Sequence, residues 1–260
     1  MVIDIRLFDG HNDCLTQVDN VNEVLRGADS VILAIFLSEN KWGIDKIEEV
    51  CKNVKDSYFI AIEDISGINY SDLDRLSLLK PLYCSLTWND SNALAGGCNS
   101  SKGITRLGKK YIEKIEEFSF IDTAHLNKTS FYKLASITSK PLFNSHTNLM
   151  SLKRHKRNID DKQIRTIIKS NGLVCLTGVK EFLSDDSLGG YIDSIYEFYL
   201  KYGSNNLALS TDFMGSETFP LVYKSYDDFK VIYNELNRRG ISEEDLNKIF
   251  YLNLKRFFNK

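Results

Sequence analysis

The residues that can do chemistry here are few. The chain has four histidines, and three of them, His11, His125 and His146, fall where short apolar runs end. Glu63 and Asp212 fall at the ends of two further runs, and Asp13 stands two positions after His11. In an extended segment, residues i and i+2 point to the same side, so His11 and Asp13 can face one ion. Imidazole with carboxylate is an ordinary zinc-binding combination. A glutamate lying between histidines in strand order can bridge two cations. Glu63 follows an apolar run, and a carboxylate buried there needs a cation, a proton or a rearranged strand end; Asp212 makes the same demand. Each residue also has a plainer reading. His11 can satisfy a turn or cap a helix, His125 can be a satisfied core histidine, and His146 sits among the turn formers Asn144, Ser145 and Asn148. The metal reading rests on their joint placement, since five strand ends carry ligand-type residues.

The elements that must position them follow from periodicity. Eight short apolar, β-branched or aromatic runs predict strands at Ile3–Asp9, Val31–Leu37, Tyr58–Glu63, Leu82–Trp88, Phe118–Thr123, Leu142–Ser145, Leu173–Thr177 and Leu207–Thr211. Amphipathic stretches lie between them. Ile44, Ile47, Val50, Cys51 and Val54 form one helical stripe, and Leu107, Tyr111, Ile115 and Phe118 another; Phe229, Ile232 and Leu236 form a third. Asp160-x-x-Gln163 and Ser242-x-x-Asp245 read as capping-box helix starts. Pro81 and Pro141 stand at strand starts, where a missing N–H costs least. Glu243 to Phe258 reads as a terminal helix closing one end. Eight strand–helix units imply a parallel α/β sheet, most simply a (β/α)8 TIM-type barrel, with a doubly wound open sheet as the competitor. The strand ends of a barrel converge on one face, which is where its active site is built.

The bulk numbers fit that frame. The chain has 260 residues, close to the roughly 250 of one such barrel, and no linker divides it, so residues 1–260 read as one domain. A net charge of −2 gives no support for nucleic-acid or anionic-membrane partners. Five scattered cysteines without C-x-x-C spacing fit a reducing compartment. No signal peptide and no run of about 18 apolar residues is read, so the expected location is cytoplasmic.

With their neighbours these residues resemble the renal-type (membrane) dipeptidase family of zinc hydrolases, of the amidohydrolase-like superfamily, in its short bacterial form. Asp9-Gly10-His11-Asn12-Asp13 looks like the family's opening D-G-H-N-D, and Ala61-Ile62-Glu63-Asp64 resembles its G-x-E-G. Ile121-Asp122-Thr123-Ala124-His125 is similar to V-D-L-S-H, and Asn144-Ser145-His146-Thr147-Asn148 to S-H-S-N. His155-Lys156-Arg157-Asn158 resembles H-x-R-N, Ser210-Thr211-Asp212-Phe213 resembles S-D-F-D-G, and Asn253-Leu254-Lys255-Arg256 the closing N-x-x-R. The segments keep the family order over most of the chain.

The resemblance implies two Zn2+ per chain, with His11 and Asp13 on one, His125 and His146 on the other, and Glu63 and a water or hydroxide bridging them. Glu63 and Asp212 would be the catalytic carboxylates, Asp212 moving a proton and contacting the substrate amine. Arg157 would bind the terminal carboxylate of a small peptide; its plainer reading is one solvated cation in the basic run Lys153 to Arg157. A homodimer is compatible with such a chain. Two departures stand out. Where the family carries a histidine in an L-T-H-N-like context that holds the reacting substrate, this chain has Leu86-Thr87-Trp88-Asn89, and Met214 replaces an aspartate. Trp88 offers one N–H but can neither accept a proton nor carry charge. The substrate can therefore be another amide or a lactone, or the barrel can bind a ligand without turning it over.

Overall fold

A computed structural model describes residues 5–17, 25–38, 42–52, 54, 58–215 and 220–259. Its strands are β1 Phe8–Asn12, β2 Ser30–Phe36, β3 Tyr58–Glu63, β4 Tyr83–Ser85, β5 Phe120–Asp122, β6 Phe143–Thr147, β7 Leu173–Leu176 and β8 Leu207–Leu209. They form one sheet whose spatial order follows the chain from β1 to β8, with each neighbouring pair parallel. A doubly wound sheet reverses its strand order part-way; this one does not. The edges meet just past β8, where the Asp212 N–H donates to His11 O and the Asp13 N–H to Phe213 O, both at 2.9 Å. The architecture is thus a nearly closed (β/α)8 barrel.

Among the described residues the helices are α1 Cys14–Gln17, α2 Ile44–Cys51, α3 Leu73–Leu78, α4 Arg106–Ile115, α5 Lys128–Ala135, α6 Asp161–Lys169, α7 Leu188–Tyr202, α8 Asp228–Arg238, α9 Glu243–Asn247 and α10 Asn253–Phe258. The capping box at α6 is complete: the Asp160 carboxylate accepts from Gln163 N–H, and the Gln163 side chain accepts from Asp160 N–H. At α9 the Ser242 hydroxyl accepts from Asp245 N–H. In α4 the buried face is Gly108, Tyr111, Ile112 and Ile115. Leu107, expected on that face, is 43% exposed, and Phe118 lies beyond the helix. None of the described helices is long and apolar enough to cross a membrane. The cysteines are all unpaired thiols, three of them buried.

Two apolar layers hold the barrel. The larger packs the helices onto the outside of the sheet. The smaller fills the barrel's interior below the strand ends with Phe8, Ile32, Ala61, Tyr83, Phe143, Cys175 and Ala208. It is completed from underneath by Tyr251, Leu254 and Phe258. The terminal helix expected over Glu243–Phe258 is interrupted by a π-helical turn, Lys248–Leu252, between α9 and α10. Tyr251, Leu254 and Phe258, spaced by three and four, share the face that meets the barrel floor. Asn253 and Arg256 act here as staples: the Asn253 amide donates to Ser204 O and Leu207 O, and the Arg256 guanidinium to Asn205 O, fixing the approach to β8.

The strand pairing is thinnest at three junctions. β3 meets β4, and β5 meets β6, through one residue pair each, and the seam between β1 and the segment after β8 is an isolated bridge. At each of them a side chain bonds the neighbouring backbone. Ser85 Oγ accepts from Asp64 N–H at 2.9 Å, Asp122 Oδ1 from Ser145 N–H at 2.9 Å, and Asp9 Oδ1 from Thr211 N–H at 2.8 Å. Asp9 also accepts from the Thr211 and Tyr226 hydroxyls. Asp9→Ala would leave these buried donors without a partner, so it should lower stability by about 3 kcal/mol, read as a shift in the denaturant midpoint.

Candidate metal centre

The six residues picked as ligands or proton carriers meet at the C-terminal end of the barrel. His11 and His146 lie within β1 and β6, and Glu63 ends β3. Asp13 follows β1, His125 stands three residues after β5, and Asp212 follows β8. His11, Asp13, Glu63, His125 and His146 are all buried, whereas the Asp212 side chain is 16% exposed. His11 Nε2 lies 3.2 Å from Asp13 Oδ2, 3.6 Å from Glu63 Oε2 and 3.8 Å from Asp212 Oδ1. The other Glu63 oxygen, Oε1, lies 2.7 Å from His125 Nε2 and 3.8 Å from His146 Nε2. Three groups of ligand atoms are compact enough for an ion: His11, Asp13, Glu63; Glu63, His125, His146; and His11, His146, Asp212.

Backbone irregularity aims several of these side chains. β1 shifts register between Asp9 and Asn12, and β6 between Asn144 and Thr147, so each bulge contains a histidine. A bulge inserts an unpaired residue and turns its side chain out of the regular alternation. Interior positions otherwise alternate through Phe8 and Gly10 in β1, where a Cβ on Gly10 would lie 2.9 Å from Cys175 Sγ. His11 could not share that face without the bulge. Asp13 joins it at the turn into α1, so the pair meets across a bulge and a turn rather than along an extended strand. β3 is regular, and Glu63 points inward by simple alternation from Ala61. His125 and Asp212 have positive φ, 66° and 56°; such conformations are uncommon outside glycine and cluster at functional sites.

Each imidazole is held by its other nitrogen. The Tyr83 hydroxyl donates to Gly10 O, so its oxygen accepts the Nδ1–H of His11 at 2.8 Å. His125 Nδ1–H donates to Asn89 Oδ1 at 2.9 Å. His146 Nδ1 lies 2.7 Å from Ser145 Oγ, whose own proton goes to Asp122. All three Nε2 atoms therefore present lone pairs to the centre. Those of His125 and His146 face each other at 2.8 Å, and Arg157 Nη2 donates to the first at 3.1 Å. His11 Nε2 and both Asp13 oxygens are buried without a hydrogen-bond partner. Facing lone pairs and orphaned carboxylate oxygens in a buried site repel unless positive charge lies between them. The donor set of imidazole and carboxylate fits a divalent transition ion.

Burial and mutual charge act strongly on the titratable groups of the cage. Burial would lower the His11 imidazole, yet Tyr83, Asp13 and Glu63 outweigh it and raise it well above the usual range. Burial pushes Asp13 up to about 6 against the pull of His11. Burial also raises Asp212 well above the ordinary carboxyl range, with Asp13 and Glu63 adding repulsion. Burial lowers His125 to about 4, with Arg157 adding to it, and lowers His146 well below the usual imidazole range; both shifts favour the neutral form that a metal ligand needs.

A cleft of about 440 Å³ opens over this cage, lined among others by Trp88, Asn89, Arg157, Phe182 and Asp212. Arg157 is buried, its guanidinium 5.6 Å over the Phe182 ring, and no carboxylate of the described residues lies within the ion-pair distance of it. Trp88 stands beyond β4, which ends three residues earlier than expected, at Ser85. Its ring centroid is 5.4 Å from Phe36 and 6.2 Å from His125. Gly215 closes the acidic side, where a Cβ would lie 2.3 Å from Asp212 Oδ1 and 2.9 Å from Asp13 Oδ2. Sequence reasoning passed over Tyr83, Asn89, Ser145 and Asp122 as supports. Ser145 and Asp122 sit inside quoted motifs, and polar residues flanking a strand-end histidine were the available signal; Tyr83 had none.

The family described as membrane dipeptidase (peptidase family M19) matches residues 8–260. An uncharacterized Klebsiella pneumoniae protein of the pqqA 5′ region is 28% identical over 185 residues, 65% of this chain and 68% of that protein. An uncharacterized dipeptidase of Schizosaccharomyces pombe is 22% identical over 184 residues, 67% of this chain but 45% of that protein. Among solved structures, a metallopeptidase from Rhodobacter sphaeroides, liganded with a phosphinate mimic of the dipeptide L-Ala-D-Ala, superposes with a TM-score of 0.81 at 17% identity, covering 98% of this chain and 99% of that one.

If Ser145 and Asp122 set the tautomer of a metal-binding His146, Ser145→Ala should weaken metal affinity by about 10- to 100-fold. Equilibrium competition with a chelator of known affinity measures this.

Proposed function

The chain belongs to the membrane dipeptidase family, peptidase family M19, and from that premise we propose a metallodipeptidase whose hydrolytic water is activated by two divalent cations, zinc by chemical preference. The observation that carries the reading is Glu63, whose two oxygens face two different histidine sets, His11 on one side and His125 with His146 on the other. His11 and Asp13 with Glu63 would hold one cation, and His125 and His146 with Glu63 the second. Bound there, such cations supply Lewis acidity: they polarise a carbonyl and bring the pKa of a water towards about 7.

The chain's own residues do the remainder. Asp212 accepts the proton of the attacking water and returns it to the leaving amine, a role suited to a carboxyl held above its usual range. Arg157, buried and without an acidic partner among the described residues, binds the peptide's terminal carboxylate with paired N–H donors. Its contacts with His125 Nε2 and His146 O place that anchor beside the cage, which favours a substrate of two residues. Trp88 gives this wall of the cleft an apolar face and one donor, where many relatives are expected to present an imidazole. The reaction is therefore less assisted on that side, and this residue is the specific ground for a second reading in which another amide or a lactone is the substrate. The phosphinate bound by the Rhodobacter sphaeroides protein has a tetrahedral centre resembling a hydrated peptide carbonyl; its D-residue makes L,D-dipeptides part of the test.

Metal-loaded protein should release free amino acids from a panel of L,L- and L,D-dipeptides, and a chelator should abolish the release. Turnover of lactones without any dipeptide cleavage would select the second reading. Asp212→Asn should cut kcat by about 100-fold or more while metal content, read by elemental analysis, stays at the wild-type level. Loss of the metal with the rate would remove Asp212 from the proton-carrier role.

A further inference from the structure

The loop that follows β6 is unusual in its charge. It carries Lys153, Arg154, Lys156 and Arg157 within five positions. Some cations elsewhere on the described surface are paired, as Lys128 is with Asp160, Arg165 with Asp161 and Arg239 with Glu235, and others are not. None of the four loop cations forms an ion pair with a described residue, in a protein whose net charge is −2. Two of them, Lys156 and Arg157, line the cleft over the cage.

Lys156 does not trail into solvent. Its ammonium reaches across the cleft to Asn99 Oδ1, 57 residues back in the chain, on the loop after β4. Asn99 is itself held, its amide donating to Asp90 Oδ1 at 2.9 Å and its N–H to Asn89 O at 2.8 Å. An amide oxygen occupies one of the three ammonium donors and neutralises no charge. The ammonium is thus fixed at the cleft with donors to spare. Of the carboxylates lining the same space, Glu63 and Asp212 belong to the cage, leaving Glu181 against two cations.

We propose that Lys156 reads a second carboxylate, on the side chain of the substrate's C-terminal residue, so that preferred substrates are dipeptides ending in aspartate or glutamate. This rests on the dipeptidase reading above, with Arg157 on the terminal carboxylate. Lys156 and Arg157 are chain neighbours lining one cleft, so a residue whose terminal carboxylate Arg157 holds can present its side chain to the Lys156 ammonium. Aspartate and glutamate match the ammonium in charge, whereas asparagine and glutamine match them in shape alone, so the comparison isolates the charge.

The test is kcat/KM for Ala-Glu against Ala-Gln, each with L- and D-configured second residues, on metal-loaded full-length protein. Wild type should favour Ala-Glu by about tenfold, the contribution of one charge-assisted hydrogen bond. Lys156→Gln should bring the ratio to within about twofold of unity, and Lys156→Glu should move preference towards Ala-Lys. The wild-type preference should also shrink as ionic strength rises. Cleavage of both peptides without preference, or a preference that survives Lys156→Gln, overturns this role while leaving the dipeptidase reading in place. Absence of cleavage of any dipeptide by metal-loaded protein overturns that reading, and this one with it.

Discussion

Three imidazole lone pairs and three carboxylates are driven together at one end of a barrel whose interior is otherwise apolar. Such a gathering repels itself unless positive charge stands within it. Arg157 supplies one cation from the rim, where it reaches His125 Nε2. The deepest part of the cage, around His11 and Asp13, has none and keeps its orphaned atoms. The rest of the molecule follows from that constraint. The helices clamp the sheet from outside, and the aromatic floor of Tyr83, Phe143 and Phe258 excludes water from below. A second set of polar groups holds each histidine so that its lone pair has no other direction to point.

That second set orients the cage through the fold itself. Tyr83, Asn89 and the Ser145–Asp122 pair are bonded elsewhere, so the orientation of each ring is settled by the fold. The burial of these supports is costly only if they are left unmade, and each has its partner. The strained backbone at His125 and Asp212 belongs with this: tertiary packing holds it, and it is displayed at the cage.

How much of this was legible in the sequence depends on whether the relevant geometry is periodic. β3 was read with its true ends, and Glu63 with its true direction, because the strand alternates without interruption. The eight-strand count and the barrel follow from the same regularity. β1 was placed too early: its expected start, Ile3 and Asp4, lies outside the described residues, and the strand runs on through His11 to Asn12. The bulges at His11 and His146 leave no trace in hydropathy, since a single inserted residue changes direction without changing composition. β4 is shorter than its apolar run predicts, because Leu86 is fully buried although the chain has left the sheet by then. Spacing alone points Leu107 inward, but α4 is rotated so that Gly108 packs against the loop carrying Leu94 instead. The closing Asn253-to-Arg256 segment, matched as a motif, proved to be a staple far from the cleft.

The three thin junctions of the sheet have one more property in common. The backbone N–H groups caught there belong to Asp64, Ser145 and Thr211. Each is the immediate chain neighbour of a cage residue: Glu63, His146 and Asp212. Ladder bonds are generic to any eight-stranded barrel, but these bonds depend on particular side chains, Ser85, Asp122 and Asp9. A designer who copied only the six cage residues onto another barrel would transplant the cage without its foundations. The portable unit is a cage residue together with the side chain, one strand away, that grips the backbone beside it.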